Sequence, residues 1–318
     1  MPTLGGSSNG VLLTAQLPAI GLLDGDTKIK VADVDGDGLN DLVLLLSADV
    51  STSGLSDTNF VLMRGKAAVL PSDFPFEVPV NGLLVHANAS SFAVADFSAG
   101  QSQALQMAVT VPVGTSPTSV DGNHILFCRY LAGTAPAEDR FVISAVANGP
   151  QQLLAGSEPV LVEATDFDGD DLIDLMVACR GDRSLRLFRN TVAPGGTSIE
   201  VDVGAFEEAL ASPMELAAGL PTVMKLSDVN GDGNLDVVVA TEFSGTLTQS
   251  SVASYLSTGT GEFSDAGFVS ATRVGLFSQR LSLALGDWNT DDVPDLFIGW
   301  ALEDPFIVNL RVLFGGTR

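Results

Sequence analysis

Five times along this chain a short apolar run leads into an acidic stretch, and a second run, apolar at consecutive positions, leads out of it. The first runs are Lys28 to Ala32, Phe92 to Ala95, Val160 to Ala164, Thr222 to Leu226 and Leu281 to Leu285. The second are Leu42 to Leu46, Leu105 to Val109, Leu175 to Ala178, Val237 to Ala240 and Leu296 to Ile298. Runs this short, separated by turn residues, predict strands. Those apolar on both faces predict strands buried between neighbouring sheets. A third strand is expected at Phe60 to Arg64, Ile125 to Tyr130, Leu185 to Arg189, Val252 to Leu256 and Phe306 to Leu313, and a fourth in the first four units only. Helical pattern is weak: Phe206 to Ala211 and Met214 to Ala218 could each form a turn or two.

The acidic stretch is a nine-residue loop, intact four times: Asp33 to Asp41, Asp166 to Asp174, Asp228 to Asp236 and Asp287 to Asp295. A degenerate copy runs from Asp96 to Ala104. Loop starts at 33, 96, 166, 228 and 287 are spaced 63, 70, 62 and 59 residues apart, the length of a four-stranded blade with generous loops. The expectation is an all-β fold, a β-propeller forming one domain over residues 1–318. The fifth unit ends without an outer strand, while Val11 to Leu17 precedes the first unit with no sheet of its own. If that N-terminal strand completes the last blade, five four-stranded blades close into a ring without open edges.

Loop positions 1, 3, 5 and 9 are Asp or Asn in every intact copy. Hard divalent cations take six to eight oxygens, and alternate side chains of a tight loop supply them together with a backbone carbonyl. The expected ligands are Asp33, Asp35, Asp37 and Asp41; Asp166, Asp168, Asp170 and Asp174; Asp228, Asn230, Asp232 and Asp236; and Asp287, Asn289, Asp291 and Asp295. Position 7 adds the carbonyl of Leu39, Leu172, Asn234 or Val293. About four calcium ions are expected. An EF-hand is excluded, since position 12 is Leu44, Val177, Val239 or Ile298 where that motif needs glutamate. The degenerate loop offers Asp96, Ser98, Gly100 and Ala104, and one carboxylate does not hold an ion.

The Asp-x-Asp-Gly-Asp-Gly-x-x-Asp loop between two strands, at a period near 60, resembles the FG-GAP or VCBS repeat of integrin α-subunit propellers and of many bacterial secreted proteins. The resemblance covers essentially the whole chain and implies calcium in the hairpins between first and second strands. It implies little about partners, because members include adhesins, lectins and accessory domains of enzymes. Integrin-type propellers have seven blades, so the count of five rests on this chain's own spacing.

Composition narrows the function. With 15 basic and 39 acidic residues the formal charge is −24, which repels phosphate backbones and anionic lipid and argues against nucleic acid as a partner. Sixteen of the acidic residues lie in the intact loops, so four divalent cations would bring the charge to −16. No apolar run reaches membrane-spanning length. Gly10 to Leu23 has no preceding Lys or Arg and is read as a strand, not a signal sequence.

Cys128 and Cys179 read as two buried thiols. Arg180-Gly181-Asp182 reads as a hairpin turn, and Asn88-Ala-Ser90 fits a glycosylation acceptor. His86 and His124 have no nucleophile motif beside them, so catalysis has no visible constellation. Two Trp and two Tyr disfavour a sugar site in every blade. The expected function is a monomeric, extracellular or cell-surface adhesion module whose ring-face loops meet a protein or glycan. A propeller-based lectin, glycosidase or lyase is the alternative.

Overall fold

The computed structural model describes residues 28–45, 60–67, 75–77, 89–99, 105–112, 123–131, 140–143, 145–146, 149–150, 152–193, 201–209, 212–216, 219–242, 249–263, 272–276, 281–301 and 308–315. The segments 11–17 and 86–88, and the long connections around 113–122 and 132–139, lie outside them.

Five antiparallel sheets follow one another, each built on three consecutive strands, and a separate two-stranded pair joins Ala145–Val146 to Gly149–Pro150. Sheet one holds Lys28–Ala32, Asp41–Leu45 and Phe60–Met63. Sheet two holds Ser91–Ala95, Gln106–Val111 and His124–Leu131. Sheet three holds Pro159–Thr165, Asp174–Cys179 and Ser184–Asn190. Sheet four holds Leu220–Ser227, Asp236–Glu242 and Gln249–Tyr255, and sheet five Leu281–Gly286, Asp295–Ala301 and Val308–Leu313. Every run expected to be a first, second or third strand overlaps one of these in its described residues. The fourth position differs between sheets. In sheet four it is the continuous strand Thr272–Leu276.

In sheets two and three the fourth position is split. His124–Leu131 pairs with Gln152–Leu154 at one end and with Arg140–Ile143 at the other. Ser184–Asn190 likewise pairs with Phe206–Glu208 and with Met214–Glu215. The expectation of helical turns at Phe206 to Ala211 and Met214 to Ala218 is therefore corrected. Both segments begin as short strands, because the open edge of sheet three offers them backbone partners, which outweighs a weak helical preference. The described 3₁₀ turn, Val203–Ala205, lies just before them. Sheet one shows three strands among the described residues, with a single bridge from Gly65 to Phe76 beyond them.

The second strands explain the stacking. Their residues alternate between two cores, one on each face. Met107, Val109 and Val111 face sheet one, while Ala108 faces sheet three. Leu175, Val177 and Cys179 pack toward sheet two, and Met176 and Ala178 toward sheet four. Val237 and Val239 pack toward sheet three, and Val238 and Ala240 toward sheet five. Each sheet is thus pressed face to face against the next.

The first strands also converge. Lys30 of sheet one reaches Glu163 of sheet three at 2.5 Å, past the intervening first strand of sheet two. Consecutive sheets packed on both faces, with their first strands gathered about a shared axis, form a β-propeller arrangement. The two end faces differ from the rest. On sheet one Ile29 and Val31 are 56% and 59% exposed, and on sheet five Leu310 is 68% exposed.

Both thiols are free and buried, Cys128 between sheets one and two and Cys179 between sheets two and three. Burial pushes the Cys128 thiol well above its ordinary range and that of Cys179 up to about 12. Neither should react with a thiol reagent until the protein unfolds, and two equivalents should react in denaturant. Phe127 lies fully buried, stacked on Phe206 at 5.1 Å and edge-on to Phe97 at 5.4 Å, so it ties sheet two to sheet three. Phe127→Ala should lower unfolding free energy by about 3–5 kcal/mol in a denaturant titration.

Candidate metal centre

Each intact loop is organised by its own carboxylates. Oδ1 of Asp33 accepts the N–H groups of Gly36 at 2.9 Å and Asp37 at 3.1 Å, and its Oδ2 accepts that of Gly38 at 2.8 Å. Asp166 does the same for Gly169, Asp170 and Asp171. Asp228 gathers Gly231, Asp232 and Gly233, and Asp287 gathers Thr290, Asp291 and Asp292. Position 5 in turn accepts the N–H of position 7, at 2.8 Å between Asp37 and Leu39 and at 2.8–3.0 Å in the other three loops.

Three N–H groups converge on one carboxylate only if the backbone curls left-handed at positions 4 and 6. Those residues have φ of 78° and 86° in the first loop, 78° and 66° in the next, 76° and 90° in the third, and 62° and 66° in the last. A Cβ at Gly38, Gly169 or Gly233 would meet no atom within 4 Å. The dihedral, not lack of room, calls for glycine there. The last loop has Thr290 and Asp292 at these positions and carries the corresponding strain.

Position 9 is a buried clamp. Asp41, Asp174, Asp236 and Asp295 are each 0% exposed. Oδ2 of each accepts the N–H of loop position 2: Val34 at 2.8 Å, Phe167 at 3.0 Å, Val229 at 3.0 Å and Trp288 at 2.8 Å. Oδ1 accepts an N–H at the far end of the third strand: Gly65 at 2.7 Å, Asn190 at 2.8 Å, Ser257 at 2.9 Å and Gly315 at 3.0 Å. One side chain thereby joins loop, second strand and third strand.

Burial is the main cause of the altered acidity. It raises Asp174 to about 7 and Asp236 to about 6, against the hydrogen bonds just named, which pull the other way. Asp35 and Asp41 are raised for the same first reason, with neighbouring carboxylates adding to it. Asp168 is raised by burial and then by Asp170 and Asp166, while Arg189, 3.7 Å away, opposes the shift. Asp232, exposed and accepting the Asn234 N–H, is lowered.

In two loops the carboxylates come together as a cation site requires. Oxygens of Asp33, Asp35 and Asp37 lie within 4.8 Å of one another, as do those of Asp166, Asp168 and Asp174. Asp168 Oδ1 is buried and has no hydrogen-bond partner among the described residues. An oxygen-only donor set with an orphaned, buried carboxylate oxygen fits a hard cation. The loops at 228 and 287 differ. Asn230 donates its amide to Asp232 Oδ2 at 2.9 Å, and Asn289 donates to Asp291 Oδ2 at 2.8 Å, so a neutral side chain takes up the position 5 carboxylate.

The degenerate loop is two residues longer than its sequence alignment implied. Ala95 pairs with Gln106 where Ala32 pairs with Asp41 and Thr165 with Asp174. Gln106, not Ala104, stands at the clamp position, and its Oε1 accepts the Phe97 N–H at 2.8 Å. A fully buried amide keeps the clamp while removing the charge. Strand register, which the sequence did not reveal, was the missing signal.

The Arg-Gly-Asp triplet forms a turn, and Asp182 is engaged by Arg186 at 2.8 Å and by Ser184 at 2.9 Å. His124 is buried in sheet two, and Asn88 lies outside the described residues. Trp288 is 72% exposed beside its loop, edge-on to Phe297 at 6.0 Å. Among the described residues no helix is long and apolar enough to cross a membrane.

Fold and loops together define an all-β repeat protein with an acidic hairpin in each unit. Residues 228–298, running from the first aspartate of the fourth-sheet loop into the second strand of sheet five, match the family model described as FG-GAP-like repeat. That stretch carries an FG-GAP-like repeat. No curated protein matches it. Among solved structures, the crystal structure of BBS1N in complex with ARL6DN, soaked with lead, is similar at 11% identity and a TM-score of 0.30, over 96% of this chain and 97% of that one. The mercury-soaked crystal structure of the same complex is similar at 15% identity and a TM-score of 0.33, over 92% and 96%.

The strain in the last loop is testable. Thr290→Gly relieves a positive φ at a β-branched residue and should raise stability by up to about 1 kcal/mol in a denaturant titration, net of the entropy glycine adds to the unfolded chain. The clamp separates from ion binding in chelator: Asp295→Ala strands two N–H groups and should cost about 1–3 kcal/mol there, whereas Asp35→Asn, half-buried and still able to accept the Asp37 N–H, should cost far less.

Proposed function

We propose that the chain is a calcium-stabilised β-propeller acting as a binding and adhesion module for a protein or glycan, at a cell surface or outside the cell. The observation that carries this reading is the loop itself, built four times to one plan, with side-chain oxygens at positions 1, 3, 5 and 9 around a preformed backbone turn. In the first loop Asp33, Asp35, Asp37 and Asp41 would hold the ion with the Leu39 carbonyl, and the same positions would serve in the loops at 166, 228 and 287. About four ions are inferred. A bound cation would offset the burial, and after it the neighbouring carboxylates, that raise Asp35 and Asp168. The chain's own residues do the rest, holding the hairpin ends and the sheets in register.

We further read the five sheets as closing into a ring, with Val11 to Leu17 supplying the outer strand of the last blade. One fact supports closure: both end sheets carry exposed apolar side chains, Ile29 and Val31 on one and Leu310 on the other. Closure would let those faces cover one another and leave a monomer. The ligand would meet the loops that connect strands at the ring faces.

Calcium titration tests the core of the reading. For extracellular-type sites with dissociation constants of about 0.1–1 mM, about 10 mM calcium should stabilise by about 1.4–2.7 kcal/mol per site. The melting temperature should rise accordingly, and Asp168→Ala should lower the calcium stoichiometry by about one while Ser98→Ala leaves it unchanged. Coincident melts in excess calcium and excess chelator would refute the calcium reading.

A further inference from the structure

At the end of the sheets opposite the acidic loops lies a cavity of about 240 Å³. Its wall comes from four sheets. Lys28 opens the first strand of sheet one and Leu45 closes the second, Ser90 precedes sheet two, Val160 lies early in sheet three, Arg180 follows its second strand, and Thr222 lies early in sheet four. The remaining lining is aliphatic or proline, and among the described residues no carboxylate lines the cavity.

Charge makes this place unusual in the molecule. The chain has 15 basic residues against 39 acidic ones, yet two cations, Lys28 and Arg180, are among the described residues that line this cavity. Lys30, one step further along the axis from Lys28, is paired to Glu163, and Arg186 to Asp182 and Glu208. Among the described residues neither Lys28 nor Arg180 has an ion-pair partner. The two hydroxyls are already committed. Ser90 Oγ is bonded to Thr110 Oγ1 at 2.9 Å and donates to the Pro159 carbonyl, and Thr222 Oγ1 donates to the Ala240 carbonyl. Recognition of a ligand therefore falls to the two cations and the apolar wall.

We propose that this cavity binds a small organic anion, its carboxylate or phosphate oxygens on Lys28 and Arg180 and its aliphatic body against Leu45 and Val160. Charge-assisted hydrogen bonds to a lysine and an arginine are the strong kind, and the aliphatic lining offers contact to the body of the ligand. The volume is below the range of about 300–1,000 Å³ typical of drug-sized ligands, so the occupant is compact. The acidic loops lie at the other end of the sheets, where salt screening shields the cavity from their field. The site lies apart from those loops and does not depend on an ion in them.

Isothermal titration of the calcium-replete full chain with adipate, inorganic phosphate and hexanediol tests the assignment. Adipate should bind at a single site, and hexanediol, which lacks the charge, should give no heat. Lys28→Gln and Arg180→Gln should each weaken adipate by about tenfold with unchanged melting temperature. Because a substitution could disturb folding, the wild-type protein provides a second readout: adipate affinity should fall as sodium chloride is raised to about 0.5 M. A lack of adipate binding, binding unaltered by both substitutions and by salt, or equal binding of hexanediol would overturn the proposal. Phosphate binding as tightly as adipate would show that the apolar wall takes no part, and would overturn the assignment to an organic anion.

Discussion

The structure turns on a buried carboxylate used the same way in four of its five sheets. At the start of each second strand an aspartate with no solvent exposure accepts one N–H from the loop before it and one from the end of the third strand. Burying a charge this way is costly unless hydrogen bonds compensate, and the raised Asp174 and Asp236 carboxyls show that burial outweighs those bonds in setting their acidity. What is gained is geometry. With the loop tied at position 2 and at position 9, the carboxylates between are held in a tight turn, and the third strand cannot slip relative to the second. Where the charge is dispensed with, at Gln106, the hydrogen bond to position 2 survives. The clamp and the acidic cluster are therefore separable parts of one motif.

Much of this was legible in the sequence because two signals coincided. Consecutive apolar residues such as Leu175 to Ala178 have one arrangement that buries them all, a strand between two sheets, and the acidic loops fixed where each strand began. Less legible was anything that depends on pairing. The outer edges of sheets two and three are built from separate fragments, and Phe206–Glu208 and Met214–Glu215 are too short to carry a period of their own. The role of Gln106 was hidden because two extra residues in the loop shift it out of alignment. The aspartates of position 9 share their identity with those at positions 1, 3 and 5, and pairing alone shows that they are fully buried and also tie the loop to the third strand.

The two ends of the sheets differ in electrostatic character. Hairpins between first and second strands gather carboxylates, three to five in each intact loop, while the opposite ends place Lys28 and Arg180 at a shared cavity. A net charge of −24 is thus unevenly distributed along the axis. The Lys30–Glu163 pair lies between these regions and links sheets that are not neighbours, so the axis is held by charge as well as by packing.

The double duty of the second strands bears on how the protein comes apart. Because Met176 faces one core and Val177 the other, an interior sheet cannot loosen without opening two interfaces, whereas an end sheet has one such interface to lose. In a linear array with nearest-neighbour coupling, disorder enters at the termini and moves inward one sheet at a time. Joining the ends would abolish that entry point, making every sheet an interior one and converting sequential fraying into a single cooperative transition.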